Sequence, residues 1–97
     1  MKIESYIPTG RKNAINRAEL CRITGKDDRA NREAIREARN RGVPIVASPK
    51  GGYYITESTA EIARLRNEML SRARDMQRTA KRLDQLAAEM SREELGV

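Results

Sequence analysis

The chain contains no histidine, no phenylalanine and no tryptophan, and its one cysteine is Cys21. Without histidine it lacks the commonest general base and a principal metal ligand, and a single cysteine can form neither a thiolate zinc site nor an intramolecular disulfide. Because no pair of catalytic groups can be named, we expect no enzymatic activity, metal, cofactor or small-molecule ligand. No segment resembles a secretion signal or a membrane span, so the sequence predicts a cytoplasmic protein.

The net charge of +6 lies entirely in the first part of the chain. Residues 1–42 carry 11 Lys and Arg against six Asp and Glu, residues 43–55 carry Lys50 alone, and residues 56–97 carry eight of each sign. A charge excess confined to one region is typical of a polyanion-binding module. The composition therefore separates a basic N-terminal region from a neutral C-terminal one.

Capping residues predict two short helices at the start of the basic region. Thr9 is a plausible N-cap for a helix that runs through Ile15, and Asn16 for a second helix from Arg17 to Thr24. Gly25 follows at the position where glycine commonly ends a helix. The two helices are thus expected to be separated by a single capping residue.

A third helix is predicted with Asp27 or Asp28 as its N-cap, and it runs to about Arg41, where Gly42 stops it. Its buried face follows from the spacing and comprises Asn31, Ala34, Ile35 and Ala38. Asn31 is the unusual member of this face, since a buried amide must find a hydrogen-bond partner or sit at the rim.

After Gly42 the pattern changes to two β-rich runs, residues 43–48 and 53–55, around a turn that contains Pro49, Gly51 and Gly52. This pattern predicts a β-hairpin whose tip presents Lys50. From Ser58 onward there is no proline or glycine until Gly96, which predicts one helix from about Thr59 to Arg92.

The predicted elements carry a resemblance to a known family. Residues 17–25, Arg-Ala-Glu-Leu-Cys-Arg-Ile-Thr-Gly, look like the second helix of bacterial helix-turn-helix domains, and residues 28–36 resemble their recognition helix. Residues 41–46 and 51–55 are similar to the wing of winged-helix repressors of the biotin-operon type. The resemblance implies a mainly α protein with a small β-hairpin: a winged helix-turn-helix DNA-binding domain over residues 1–57, followed by a long helix over residues 58–97.

The predicted third helix carries the residues that we expect to read DNA. An Arg can bond guanine O6 and N7 together in the major groove, and an Asn can do the same for adenine. The spacing places such side chains in one stripe opposite the buried face. The predicted base-reading residues are Arg29, Arg32, Arg36 and Asn40. The predicted DNA-backbone contacts are Arg17, Arg22, Lys26, Arg39, Arg41 and Lys50.

A plainer interpretation of the same helix remains open. Arg32 follows Asp28, Glu33 follows Arg29 and Arg41 follows Glu37 at a spacing of four, so the arginines could form a solvated face of ion pairs. In that case the module would be an adaptor that binds protein within a larger assembly, without direct contact to DNA. Salt-dependent binding to duplex DNA separates these two hypotheses, because the adaptor should show none.

The long helix has a heptad pattern that predicts a tight coiled-coil homodimer, antiparallel or parallel. Small residues at regular intervals let two helix backbones approach closely. The predicted interface comprises Ile62, Leu65, Met69, Ala73, Met76, Ala80, Leu83, Ala87 and Met90. The alternatives are that the long helix folds back onto its own domain, binds a helix of another protein, or lies bare or on a membrane surface. The zero net charge of this segment argues against an anionic membrane.

Overall fold

The computed structural model describes residues 2–96, which form a mainly helical protein with one small antiparallel hairpin. Two 3-10 turns, Ile3–Tyr6 and Arg11–Asn13, come first. They are followed by α1 (Arg17–Thr24), α2 (Asp28–Asn40), β1 (Ile45–Ala47), β2 (Tyr53–Ile55) and α3 (Thr59–Glu94). The chain divides into two compact units between Ala63 and Arg64.

The first unit contains α1, whose boundaries match the prediction because both of its ends are capped locally. The side chain of Asn16 accepts a hydrogen bond from the Glu19 backbone N–H at 2.7 Å. Gly25 ends the helix in the left-handed region with φ of 71°, which satisfies the Cys21 carbonyl.

Helix α2 begins after Asp27, whose carboxylate accepts from the Ala30 backbone N–H at 2.8 Å. This resolves the choice between the two candidate N-caps. The helix ends at Asn40, close to the predicted end.

The helix predicted from Thr9 to Ile15 is wrong. Only Arg11–Asn13 turns, as a single 3-10 turn, and the residues on either side of it are extended along β2. Backbone hydrogen bonds join Ile15 and Tyr53 in both directions at 2.9 and 2.8 Å, and the Gly10 N–H donates to the Ile55 carbonyl at 2.9 Å. Partners distant in sequence thus override the local capping signal of Thr9.

The hairpin pairs Ile45 with Ile55, Val46 with Tyr54 and Ala47 with Tyr53. One face of the hairpin packs into the core, which also contains residues from the first 3-10 turn and from α1 and α2. The buried residues of that core are Ile3, Ile7, Leu20, Ile35, Ala38 and Ile45. These six residues are all aliphatic and form a small core. The free energy of unfolding is therefore expected to be small and to depend on good packing.

Helix α3 is one uninterrupted helix of 36 residues, slightly longer than predicted. The Ser58 hydroxyl accepts from the Glu61 backbone N–H at 3.2 Å, in agreement with the predicted capping motif. The Tyr54 hydroxyl donates to the Glu61 carboxylate, which ties the first turn of the helix to β2.

Candidate nucleic-acid interface

The exposed side of α2 carries Arg29, Arg32 and Arg36, which we call the arginine stripe. The opposite side of the helix is anchored in the core by Ile35 and Ala38, so the stripe faces solvent. Asn40, the last predicted base-reading residue, is also exposed and closes the helix. All four predicted base-reading residues therefore lie on the surface of one helix.

Two members of the arginine stripe have carboxylate partners within α2. Arg32 Nε lies 3.2 Å from an Asp28 oxygen, and the Arg36 guanidinium hydrogen-bonds the Glu33 carboxylate. The Arg36 hydrogen bond lowers the pKa of Glu33 below its ordinary value. The arginine side chains of both pairs are exposed, so another anion can compete with the carboxylates at small cost.

Asp28 receives a second guanidinium, because Arg17 reaches across from α1 with Nε 2.9 Å from one carboxylate oxygen. The hydrogen bond from Arg17, together with the charges of Arg17 and Arg32, lowers the pKa of Asp28. On α1 itself, Arg22 is paired with Glu19. Two of the predicted backbone contacts, Arg17 and Arg22, are thus engaged within the first unit.

Arg39 and Arg41 stabilise the fold around the end of α2. The half-buried Arg39 donates from Nε to the Ile45 carbonyl at 2.7 Å, which ties the helix to β1. Arg41 forms two hydrogen bonds with the Glu4 carboxylate, at 2.6 and 3.1 Å. The hydrogen bond with Arg41 holds the pKa of Glu4 at about 2. Both arginines have structural partners, and their predicted contacts with DNA stay predictions.

Asn31 sets the packing of α1 against α2. Its side chain is 1% exposed, and its carbonyl oxygen accepts from the Thr24 hydroxyl at 3.1 Å. Its amide nitrogen donates toward the Cys21 sulfur at 3.5 Å. The buried amide therefore has partners on the neighbouring helix, which explains how a polar residue occupies a core position.

Several cations on the first unit have no ion-pair partner within the part of the chain that the structure describes. They include Arg29 of the arginine stripe, Lys26 in the turn between α1 and α2, and Lys50 at the hairpin tip. Arg11 and Lys12 of the second 3-10 turn belong to it too. Neither of these last two residues was predicted from the sequence to contact DNA.

Arg11 and Lys12 face Lys50 across a cleft of about 660 Å³, which we call the basic cleft. Its walls are the second 3-10 turn with Ala14 and Asn16, and residues 48–51 of the hairpin tip. The adjacent basic pair in the sequence was a signal for this site, but its proximity to the hairpin depends on the long-range pairing of Ile15 with Tyr53.

The predicted interface residues of α3 lie on the exposed length of that helix, with Leu65 half-buried. Met76, Leu83 and Met90 are 67%, 59% and 58% exposed. Large apolar side chains exposed at regular spacing on one helix mark a surface suited to association.

Within residues 2–96, no helix is both long enough and apolar enough to cross a membrane. The same residues hold no group of three or more Cys, Asp or Glu side chains arranged to bind a metal. Comparison with family models, curated proteins and solved structures gave no match.

Proposed function

We propose that this protein binds duplex DNA through a winged helix-turn-helix formed by α1, α2 and the hairpin, as a dimeric regulator of transcription or of mobile-element replication. In this proposal α2 enters the major groove and the arginine stripe contacts base edges, while Lys50 contacts the backbone. The observation that carries the proposal is the solvent-facing arginine stripe in the one region of the chain that holds the whole charge excess.

The ion pairs of Arg32 and Arg36 are compatible with this proposal. Both guanidinium groups are more than half exposed, and exposed pairs contribute on the order of 0–1 kcal/mol. A phosphate or a guanine edge can therefore compete with the carboxylates. Asp28 and Glu33 would also repel DNA where no arginine neutralises them, which favours a defined orientation on the duplex.

The test is a titration of the full chain with a labelled duplex of arbitrary sequence at several salt concentrations. With about 5 to 8 phosphate contacts per subunit, the logarithm of the binding constant should fall against log salt with a slope of roughly −4 to −7. A flat response would contradict DNA binding and favour the protein-binding adaptor.

Sequence reading by the arginine stripe needs a separate measurement. Selection from a random duplex pool should yield a motif, and Arg32→Ala or Arg36→Ala should lose about 1–3 kcal/mol of discrimination at particular base pairs. Lys50→Ala should weaken all sequences alike. If all three variants lose affinity uniformly, the arginines contact phosphates and the base-reading surface lies elsewhere.

The dimer is proposed to form through α3. Ala80→Glu would insert a charge between closely approaching backbones, at a cost of several kcal/mol, and should dissociate the dimer. The neighbouring change Lys81→Ala should alter stability by less than about 0.5 kcal/mol. Sedimentation equilibrium on both variants and the natural chain is the measurement. A natural chain that is monomeric at tens of micromolar would refute the dimer.

A further inference from the structure

The basic cleft has the properties of a preformed anion site. Arg11, Lys12 and Lys50 all line this one space, and no acidic residue lines it. In contrast to Arg32 and Arg36, none of these three cations has an ion pair among residues 2–96. Like charges brought together in this way favour a ligand that carries negative charge.

The walls of the basic cleft are held rigidly with respect to each other. Two backbone hydrogen bonds join Ile15 beside the 3-10 turn to Tyr53 beside the hairpin tip, at 2.9 and 2.8 Å. Gly52 packs so closely on this junction that a Cβ atom there would lie 2.0 Å from the Ile15 carbonyl oxygen. Because the backbone of both walls is already positioned, an anion that enters the cleft has only the exposed side chains to order.

We propose that the basic cleft binds backbone phosphates of the nucleic acid, as a second contact region separate from the arginine stripe. The inference rests on the proposed DNA binding and names where an additional part of the phosphate backbone is held. Its cations interact with phosphodiester charge only, so the site should add affinity without sequence preference. Lys50 is then one wall of a site, with Arg11 and Lys12 as the other.

The test compares two double variants of the full chain that lower its net charge equally. Arg11→Gln with Lys12→Gln removes one wall of the cleft, and Arg74→Gln with Lys81→Gln removes two exposed cations from α3. At about 0.9 counterion released per contact, the cleft variant should flatten the salt slope by about 1.8 and weaken duplex binding roughly 60-fold at 0.1 M salt. The α3 variant should stay within about threefold of the natural chain, since long-range charge is screened.

The outcomes separate the two proposals. If the natural chain has a steep salt slope and the cleft variant has the same slope, the cleft does not bind phosphates, while DNA binding by the chain still stands. A flat slope for the natural chain overturns DNA binding itself. Titration with inorganic phosphate at constant ionic strength tests whether the cleft is a site for a free anion. If the natural chain binds phosphate, and the cleft variant loses phosphate binding but keeps its duplex binding, then the cleft does not bind the DNA backbone. Lys50→Gln provides the check from the opposite wall, with about half of the slope change.

A second inference concerns α3 and comes from the order of its residues. From Met69 to Met90 one face of the helix carries apolar residues separated alternately by four and three positions, and each large residue before Met90 is followed by an alanine. The positions are Met69, Ala73, Met76, Ala80, Leu83, Ala87 and Met90. In a parallel pair of helices, equivalent residues meet, so alanine would face alanine and leave thin layers between thick ones. In an antiparallel pair, each alanine can face a large residue, which fills the layers between Ala73 and Met90 evenly.

Charge then selects one antiparallel register. Pairing Ala73 with Met90 of a second copy places Ala80 against Leu83, with the symmetry axis between those two residues. The same register brings Arg72 beside Glu93 of the other copy, twice by symmetry. A slip of one heptad either way removes both of these pairs, and the slip that places Ala80 against Met90 brings two copies of Asp84 together. Among residues 2–96 the ion pair of Arg72 is a long, exposed contact of 3.8 Å with Glu68, which leaves the guanidinium able to pair with another carboxylate.

We infer that a second copy of this chain covers the seam of α3 as an antiparallel partner, in the register that pairs Ala73 with Met90. In a Cys21→Ser background, Ala73→Cys and Met90→Cys chains should be joined by a short bismaleimide only when they are mixed. In this register, the two copies of position 73 would be about 25 Å apart at 1.5 Å per residue, and so would the two copies of position 90. Neither chain should therefore be linked to another copy of itself. A parallel dimer would instead link Ala73→Cys chains to each other.

Two controls make the register experiment decisive. Linking of Ala73→Cys to Leu83→Cys would indicate the register slipped by one heptad, and would overturn the inference. A second pair of the same register, Met76→Cys mixed with Ala87→Cys, should also link and keeps the test valid if Met90→Cys weakens the dimer. The inference rests on the proposed dimer: failure of both mixed pairs in a chain that sediments as a dimer overturns the register, whereas a monomer overturns the dimer itself.

Discussion

Gly52 offers the sharpest test of the junction between the 3-10 turn and the hairpin. In Gly52→Ala, the new methyl group would lie 2.0 Å from the Ile15 carbonyl oxygen and 2.8 Å from the Asn16 Cα atom. These are backbone atoms and cannot rotate away, so the strand junction has to open. The position also has φ of 88°, where side chains other than glycine are strained.

The expected cost follows from what must break. Opening the junction removes the two hydrogen bonds between Ile15 and Tyr53, each contributing about 1 kcal/mol. Strain in the left-handed region adds roughly 1–2 kcal/mol. The total of about 3–4 kcal/mol is a large part of the roughly 3–9 kcal/mol expected for a unit of this size.

Gly51→Ala is the matched control. Gly51 has φ of 93°, and a Cβ atom there would have no neighbour within 4 Å, so only the strain of about 1–2 kcal/mol remains. The tyrosines Tyr6, Tyr53 and Tyr54 all lie in the first unit, so near-ultraviolet circular dichroism or tyrosine fluorescence follows that unit separately from the long helix. Urea unfolding observed through these signals gives both free energies. If Gly52→Ala is no more destabilising than Gly51→Ala, the close packing of the hairpin on Ile15 is refuted.

Three further predictions concern single contacts, and each is measured by urea unfolding through the tyrosine signal. Asn31→Ala should destabilise by about 1–3 kcal/mol, because it leaves a cavity and removes the acceptor of the Thr24 hydroxyl; an effect below about 0.5 kcal/mol would contradict the buried contact. Asp27→Ala should cost about 1 kcal/mol through loss of the α2 cap, and an unchanged midpoint would exclude that role. The pKa of Glu4 is lowered to about 2 by Arg41, so this carboxylate contributes stability above its ordinary pKa, which is lost as pH falls from about 4.5 toward 2. Glu4→Gln should remove that part of the acid destabilisation, and an identical pH profile would show that the pair does not couple to folding.

The local helices could be predicted from the sequence because their signals lie within a few residues of each end. Asn16 and Gly25 determine where α1 begins and ends, and Asp27 starts α2. The long helix from Thr59 follows from a run without proline or glycine, and the arginine stripe follows from helical spacing alone. The hairpin was likewise predictable, since the β-rich runs and the glycine turn adjoin each other.

Two features depend on the tertiary structure, because the residues that form them are far apart in the chain. The segment from Thr9 to Ile15 has a helix-capping residue, yet it lies along β2, because hydrogen bonds to Tyr53 and Ile55 outweigh its weak local preference. The same pairing creates the basic cleft by bringing Arg11 and Lys12 opposite Lys50. Spacing along the sequence determines which residues share a helix face, but contacts between separate segments determine which cations have partners and which remain available to a ligand.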